Sequence, residues 1–295
     1  MADALSPNPI EGFSAALAGM VATVASGIVA VRAKGSVSSG FVWQPGFVVT
    51  ADDALADEGP FAVTPAGGES IQAQLVGRDP TTDIALLRVD GAAAPQSVAL
   101  TDATVPPGAV VLAVGADNGA PTVALGVVSR AGGPWRSLRG GEIDARIELD
   151  LRMRRSAEGG VALGASGQAI GMTVFGPHRR VLVIPAATIE RVASTLQRHG
   201  RIARGYLGLG LQPVALDGGG SGAMVISVDP QGPGARAGLH QGDIVVAWNG
   251  EVVRHLQTLL RALGPGSVGQ TVTLGTRRAG EARQVSLTIA ERPTT

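Results

Sequence analysis

Acyl transfer by a side-chain nucleophile needs three groups together: a hydroxyl or thiol, a base of pKa near 7, and a partner that orients the base. The 295-residue chain has no cysteine. That removes a thiol nucleophile, thiolate metal sites and disulfides at once. Its imidazoles are His178, His199, His240 and His255. His199 ends a helical pattern, His240 and His255 lie in the C-terminal part, and His178 sits in the loop-like segment FGPHRR. A lone loop histidine is more often solvated than catalytic. The stretch RRSAEGGVAL, Arg154 to Leu163, sets the acidic Glu158 directly before a glycine pair.

The elements that must position such residues follow from composition and pattern. Hydrophobic residues make up 45% of the chain and charged residues 16%, enough for roughly two folded domains and too little charge for wholesale disorder. Glycine is abundant, and Lys34 is the single lysine against many arginines, a bias that fits a GC-rich genome. Formal net charge is zero, so nucleic acid has no electrostatic footprint to bind. The apolar run Phe13–Val31 raises the question of a membrane span. No basic segment precedes it, so it is not a clear signal peptide. Its Ala/Leu/Met-rich first half and Val/Ile-rich second half, with Gly27 between, fit a helix followed by a strand better than one span.

From Ile28 to Ile184 short Val/Ile/Leu runs alternate with Gly, Pro and Asp. Examples are SSGFVWQPGFVVTA, ESIQAQLVG, DIALLRV, GAVVLAVG, TVALGVVSR and QAIGMTVF. Strands this short with turns this frequent predict an all-β barrel or sandwich. TIERVASTLQRHG predicts a helix, with Ile189, Val192 and Leu196 on one face and Gly200 as its stop. A second β-rich unit with one helix follows, and the domains are expected at 1–199 and 200–295.

Several segments in order resemble one family, the HtrA proteins: a trypsin-like double β-barrel protease domain followed by a PDZ domain. SSGFVWQPGFVVTA is similar to the strand pair leading to the family's catalytic histidine, and VGRDPTTDIALLRV to the segment carrying its aspartate. VIPAATIERVASTLQRHGRIARGYLGLGL and GARAGLHQGDIVVAWNGEVV complete the match. The resemblance implies a mainly β fold, two six-stranded barrels, and an N-terminal helix ahead of the first.

Carried over residue by residue, the resemblance places the triad on unusual side chains. Where the family reads T-x-x-H the chain reads Thr50-Ala51-Asp52-Asp53, so the histidine position is Asp53. The aspartate position is Asp83, in TTDIALL. The nucleophile loop, D-A-x-x-N-P-G-N-S-G-G-P in the family, reads DLRMRRSAEGGV. Asp150, Gly159 and Gly160 hold the register, the nucleophile position is Glu158, and the oxyanion glycine is Ser156. Carboxylates at Asp53 and Glu158 supply neither hydroxyl nor imidazole, and losing one triad member already costs roughly four to six orders of magnitude in rate. The reading is a pseudoprotease, not an enzyme. The alternative is a residual serine-type or non-standard peptidase. A glycosidase-like carboxylate pair has no further support in the chain.

The same resemblance brings Asp53, Asp83 and Glu158 within a few ångströms of one another. Close carboxylates raise each other's pKa, recruit a cation or pair with base. Arg152, Arg154 and Arg155 are the expected counter-ions, and a Ca²⁺- or Mg²⁺-type site is the competing outcome. No cofactor or metal is assigned. In the PDZ-like part, Tyr206, Leu207, Gly208 and Leu209 are the implied carboxylate-binding loop and strand. Leu256, Leu259 and Leu260 are the residues expected to supply the wall of an apolar pocket, with His255 nearby. The expected partners are peptide or protein C-termini, an active HtrA paralogue, and copies of the chain in a trimer. The expected role is scaffold, chaperone or regulator. Family resemblance favours the periplasm or cell envelope.

Overall fold

The computed structural model describes residues 8–90, 96–216 and 219–293. Two compact units divide the chain: residues 1–137 with 142–201, and residues 202–295 with the short segment 138–141.

The first unit opens with α1 (Pro9–Ala25), capped by the Asn8 side chain, which accepts a hydrogen bond from the Ile10 amide at 3.1 Å. Proline at its first position suits the donor-free end of a helix. The helix is apolar yet buries no residue. Among the described residues, no helix is long and apolar enough to cross a membrane. The first barrel comprises β1 (Ile28–Ala33), β2 (Ser36–Gln44), β3 (Phe47–Thr50), β4 (Phe61–Pro65), β5 (Ile71–Asp79) and β6 (Ile84–Val89), closed in the order β1-β2-β3-β6-β5-β4. SSGFVWQPGFVVTA thus becomes the β2–β3 hairpin, its turn made at Gly46 with φ +79°. Val29, Val31, Val42, Val48 and Leu87 fill the barrel.

The second barrel takes β7 (Val110–Asp117) and β8 (Ala120–Gly132). After a small hairpin of β9 (Trp135–Arg136) and β10 (Glu142–Ile143) it adds β11 (Arg146–Asp150), β12 (Val161–Gly164), β13 (Ala169–Phe175) and β14 (Val181–Pro185). It closes in the order β11-β14-β13-β12-β7-β8. Closure of both barrels covers most strand edges, the main liability of an all-β unit; the Ala120–Gly126 part of β8 runs past β11 and pairs with β7 alone. Helix α2 (Ala186–His199) buries Ile189, Val192 and Leu196 and ends at Gly200 in the left-handed conformation, φ +70°. The fold class read from the sequence holds in full: the protein is mainly β, with two six-stranded barrels before the second unit.

The second unit contains β15 (Gly205–Tyr206), β16 (Leu209–Ala215), β17 (Ser221–Val228), α3 (Pro233–Arg236), β18 (Ile244–Trp248), β19 (Glu251–Val252), α4 (Leu256–Ala262), β20 (Thr271–Arg278), β21 (Glu281–Thr288) and β22 (Ala290–Glu291). Its main sheet runs β16-β17-β18-β20-β21, so β16 is an edge strand. Val225, Val245, Leu259, Leu274 and Ile289 belong to its core.

Candidate functional site

Two turns of the first barrel and one loop of the second build the site. Asp53 follows β3 and is exposed, whereas its neighbour Asp52 is buried and pairs with Arg78 at 3.3 Å. Asp83 stands just before β6 in the left-handed region, φ +59°. One of its carboxylate oxygens accepts the Asp53 backbone N–H at 2.7 Å. Removal from water pushes the Asp83 carboxyl up to about 8. The Asp53 amide opposes that shift, and the charges of Asp53, Glu158 and Asp52 add to it. At neutral pH Asp83 therefore carries its proton for much of the time.

The loop before β12 is folded tightly. Arg155–Ala157 form a single 3-10 turn, in which the Ala157 amide donates to the Arg154 carbonyl and the Glu158 amide to the Arg155 carbonyl, each at 3.1 Å. Ser156 lies inside this turn and is not among the residues with positive φ. A glycine-like conformation at that position is thus not used, in keeping with its Cβ. The loop is stitched to the first barrel. The Ser39 amide donates to the Glu158 carbonyl at 2.8 Å, and the Ser39 hydroxyl to the Ser156 carbonyl at 2.6 Å. Gly159 (φ +86°) could not carry a side chain: a Cβ there would lie 2.2 Å from the Ser39 carbonyl oxygen.

The Glu158 carboxylate accepts the Phe175 amide at 3.0 Å. Burial raises its pKa, the Phe175 amide lowers it, the Asp53 charge raises it, and the charges of Arg155 and Arg179 lower it. The three positions read from the sequence are thus electrostatically coupled in one site. Its cations differ from expectation. Arg155 acts on Glu158, but the second cation is Arg179, from FGPHRR. Arg152 and Arg154 instead line a pocket with Thr122, Val123, Ala124 and Ala157. The reason is alternation along an extended segment: Met153 turns into the barrel core, and its two neighbours point away from it. Arg179 was visible only as one of two arginines in a loop whose position depends on the β13–β14 turn. His178 is exposed in that same turn. Among the described residues, no cluster of three or more His, Asp or Glu side chains is arranged to hold a metal ion.

In the second unit, the geometry of the proposed peptide loop follows from peptide planarity. The Leu207 carbonyl accepts the Gly234 amide at 2.7 Å, and the Gly208 carbonyl accepts the Asp229 amide at 2.8 Å. In a trans peptide the following N–H points the opposite way. The Gly208 and Leu209 amides are therefore turned outward in succession, a backbone arrangement that binds anions. Gly208 has φ +71°, and a Cβ there would meet the Gly232 Cα at 2.8 Å. Leu207 itself is a core side chain, 3% exposed, so what it offers a ligand is backbone. Tyr206 is fixed by its hydroxyl, which donates to Asp229 at 2.9 Å. Helix α4 packs beside the edge strand β16. Of its leucines, Leu256 is half-buried and Leu260 exposed, while Leu259 is wholly inside the core and cannot line a surface pocket. His255 is exposed just ahead of α4 and makes no capping bond.

These features meet two families. The trypsin-like peptidase domain matches residues 38–172, and the PDZ domain matches residues 205–289. The chain is HtrA-type in architecture. It is similar to the crystal structure of the serine endoprotease from Yersinia pestis at TM-score 0.70 and 27% identity, covering 93% of this chain and 97% of that one. The HtrA-type protease AlgW with tripeptide is similar at TM-score 0.66 and 25% identity, over 94% and 98% of the two chains. Among curated relatives, a probable periplasmic serine endoprotease DegP-like of Rhizobium meliloti is 33% identical over 281 residues, 89% of this chain and 55% of its own length. Its namesake in Brucella suis is 34% identical over 275 residues, 86% and 52%. The chain spans about half the length of these curated relatives.

Proposed function

We propose that this HtrA-type chain binds peptide or protein C-termini through its PDZ domain and does not work as a serine protease. One observation carries the second half of that reading. At the position the family uses for its nucleophile stands Glu158, whose carboxylate is held by the Phe175 amide and whose own amide is bonded to the Arg155 carbonyl. Neither an attacking hydroxyl nor a free amide for an oxyanion remains at that residue. The first half draws on the outward amides of Gly208 and Leu209 beside the edge strand β16, the arrangement to which an extended peptide adds as a strand. The similar HtrA-type protease AlgW has been solved with a tripeptide, which fits a peptide-binding reading. A scaffold, chaperone or regulator of an active HtrA paralogue fits such binding. Assembly as a trimer through the first unit belongs to this proposal, as does a periplasmic or envelope location, in line with the names of the relatives.

Two measurements test it. A screen of C-terminal peptides against the full chain should yield ligands with aliphatic or aromatic ends, whose binding requires a free C-terminal carboxylate and is lost in Gly208→Val. Casein incubated with purified protein should stay intact. Because the named relatives are endoproteases, the contrary result is well defined: turnover that Glu158→Ala abolishes would overturn the proposal, and amidated peptides binding as well as free ones would overturn its PDZ part.

A further inference from the structure

Strand β8 outruns one of its partners. It pairs with β7 from Ala120 to Val127, whereas β11 meets it only from Val127 to Gly132. The cause is the course of the chain after β11. It passes across Gly126, where a Cβ would lie 2.3 Å from the Asp150 carbonyl oxygen, and then sends Met153 into the barrel core. Residues 121–125 of β8 therefore keep one edge that no strand of the described residues covers. Two observations fix which groups that edge presents. The Val128 amide donates to the Ala109 carbonyl at 2.9 Å, and the Val128 carbonyl accepts the Gly108 amide at 2.8 Å. At the other end Asp117 and Ala120 flank the two-residue turn Asn118–Gly119, with φ of +50° and +79°, which makes them a bonded pair. Even-numbered residues of β8 thus bond to β7, and Val123 and Leu125 turn their N–H and C=O groups to the open edge. Pro121 adds a carbonyl alone.

The edge is held ready for a partner. The Arg32 guanidinium donates to the Asn118 side-chain oxygen, and the Gly67 amide to the Gly119 carbonyl at 3.3 Å, so the β7–β8 turn is tied to the first barrel. The Val123 and Leu125 side chains are each 50% exposed. No charged residue from Ala120 to Val127 guards the edge against pairing. The space beside it is a pocket of about 270 Å³ lined by Thr122, Val123, Ala124, Arg152, Arg154 and Ala157. Neither guanidinium group there has a hydrogen-bond or ion-pair partner among the described residues. We propose that an extended acidic segment of a partner protein adds as a strand to the Pro121–Leu125 edge of β8. Its residues opposite Val123 and Leu125 carry apolar side chains and lie on the same outward face as those two. The residue between them faces the Thr122–Ala124 side, where its carboxylate meets Arg152 and Arg154. A second copy of the chain is the poorer occupant, because two-fold pairing of this edge sets one pair of arginines against the other. The site is independent of C-terminal carboxylate capture by the PDZ domain.

The probe is a fluorescein-labelled, amidated heptapeptide, Ser-Val-Glu-Val-Glu-Val-Ser, followed by fluorescence anisotropy on the full chain. Amidation keeps it from presenting a terminal carboxylate. It should bind roughly tenfold more tightly than its Gln counterpart at low salt, the scale of one charge-assisted hydrogen bond. R152Q/R154Q should remove that preference. N-methylation of the three valines, whose N–H groups face the edge, should abolish binding, and N-methylation of the two glutamates should spare it. V123P deletes an edge donor and no bond to β7, so it should weaken binding roughly tenfold with sedimentation behaviour unchanged. Gly208→Val should bind the probe as the parent does. Equal binding of the Glu and Gln peptides, indifference to R152Q/R154Q, equal loss from the two methylation patterns, or loss of binding in Gly208→Val would each overturn the proposal. A changed assembly state in folded V123P would overturn it too and assign the edge to a second copy. If V123P does not fold, the two methylated peptides decide the matter on the parent chain.

Discussion

Replacing Asp83 by asparagine isolates the electrostatic strain of the three-carboxylate site. The carboxyl is raised from an ordinary 3.8 to about 8, so over that interval the folded chain holds a proton that the unfolded chain has released. Stability then falls as pH rises from about 4 to about 8 and levels off above, the reverse of the usual salt-bridged carboxylate. Each unit is worth about 1.4 kcal/mol, so roughly four units set a ceiling of about 6 kcal/mol. The side chain is half-buried, and solvent screening brings the expected effect to about 2–3 kcal/mol. Asparagine keeps the acceptor for the Asp53 amide, cannot ionise, and tolerates the φ of +59°. D83N should therefore be more stable than the parent above pH 8, by about 5–10 °C in thermal midpoint for a unit of this size. The gain should shrink to a small residue near pH 5. Urea unfolding at pH 5, 7 and 9, followed by fluorescence of Trp43 and Trp135, measures it. The neighbours also titrate or carry charge: Asp52 with Arg78, Asp53, and Glu158 with Arg155 and Arg179. Parallel pH profiles for D83N and the parent would refute the assignment of the strain to Asp83.

Three further outcomes are expected. Glu158→Ala leaves the Phe175 amide without its acceptor and should cost about 1–3 kcal/mol in denaturant unfolding. Gly159→Ala must displace the Ser39 carbonyl and strain its own backbone, and should cost more than about 3 kcal/mol, read as loss of soluble protein or a sharply lowered thermal midpoint. In the second unit the Arg278 guanidinium, bonded to the buried Asp243 at 2.7 and 2.8 Å, holds that carboxyl below its usual range. The stability it adds is present above pH 4 and lost as pH falls through the lowered value, so Asp243→Asn should flatten the acid limb of unfolding reported by Trp248.

The strands and barrels were legible because their signals are local. QPGF forces a hairpin wherever the chain lies, and Ile189, Val192 and Leu196 mark a helix face that any barrel surface can accept. The division of α1 from β1 was equally visible, in the change from Ala-rich to β-branched residues around Gly27. The meeting of Asp53, Asp83 and Glu158 in one site was legible only through register, with Gly159 and Gly160 fixing where Glu158 had to fall. What pairs with what was not. Arg152, Arg154 and Arg155 look alike in sequence, and only the burial of Met153 and the turn at Ser156 send them in different directions. Arg179 reaches Glu158 across the β13–β14 turn, and Leu259 turns inward on a helix whose phase the sequence alone left open. Long-range side-chain direction, rather than secondary structure, was the missing information.

The stitching of the Glu158 loop to Ser39 has a consequence for how such a chain can change. The hydrogen bonds that join the loop to the first barrel run through main-chain groups and the Ser39 hydroxyl, and the closest packing is at glycines without side chains. The seam between the barrels is thus written in backbone, while chemistry at this spot is written in side chains. One text can be rewritten without touching the other: side chains at this spot can be substituted while the main-chain bonds stay in place, whereas a side chain added at Gly159 collides with the seam itself.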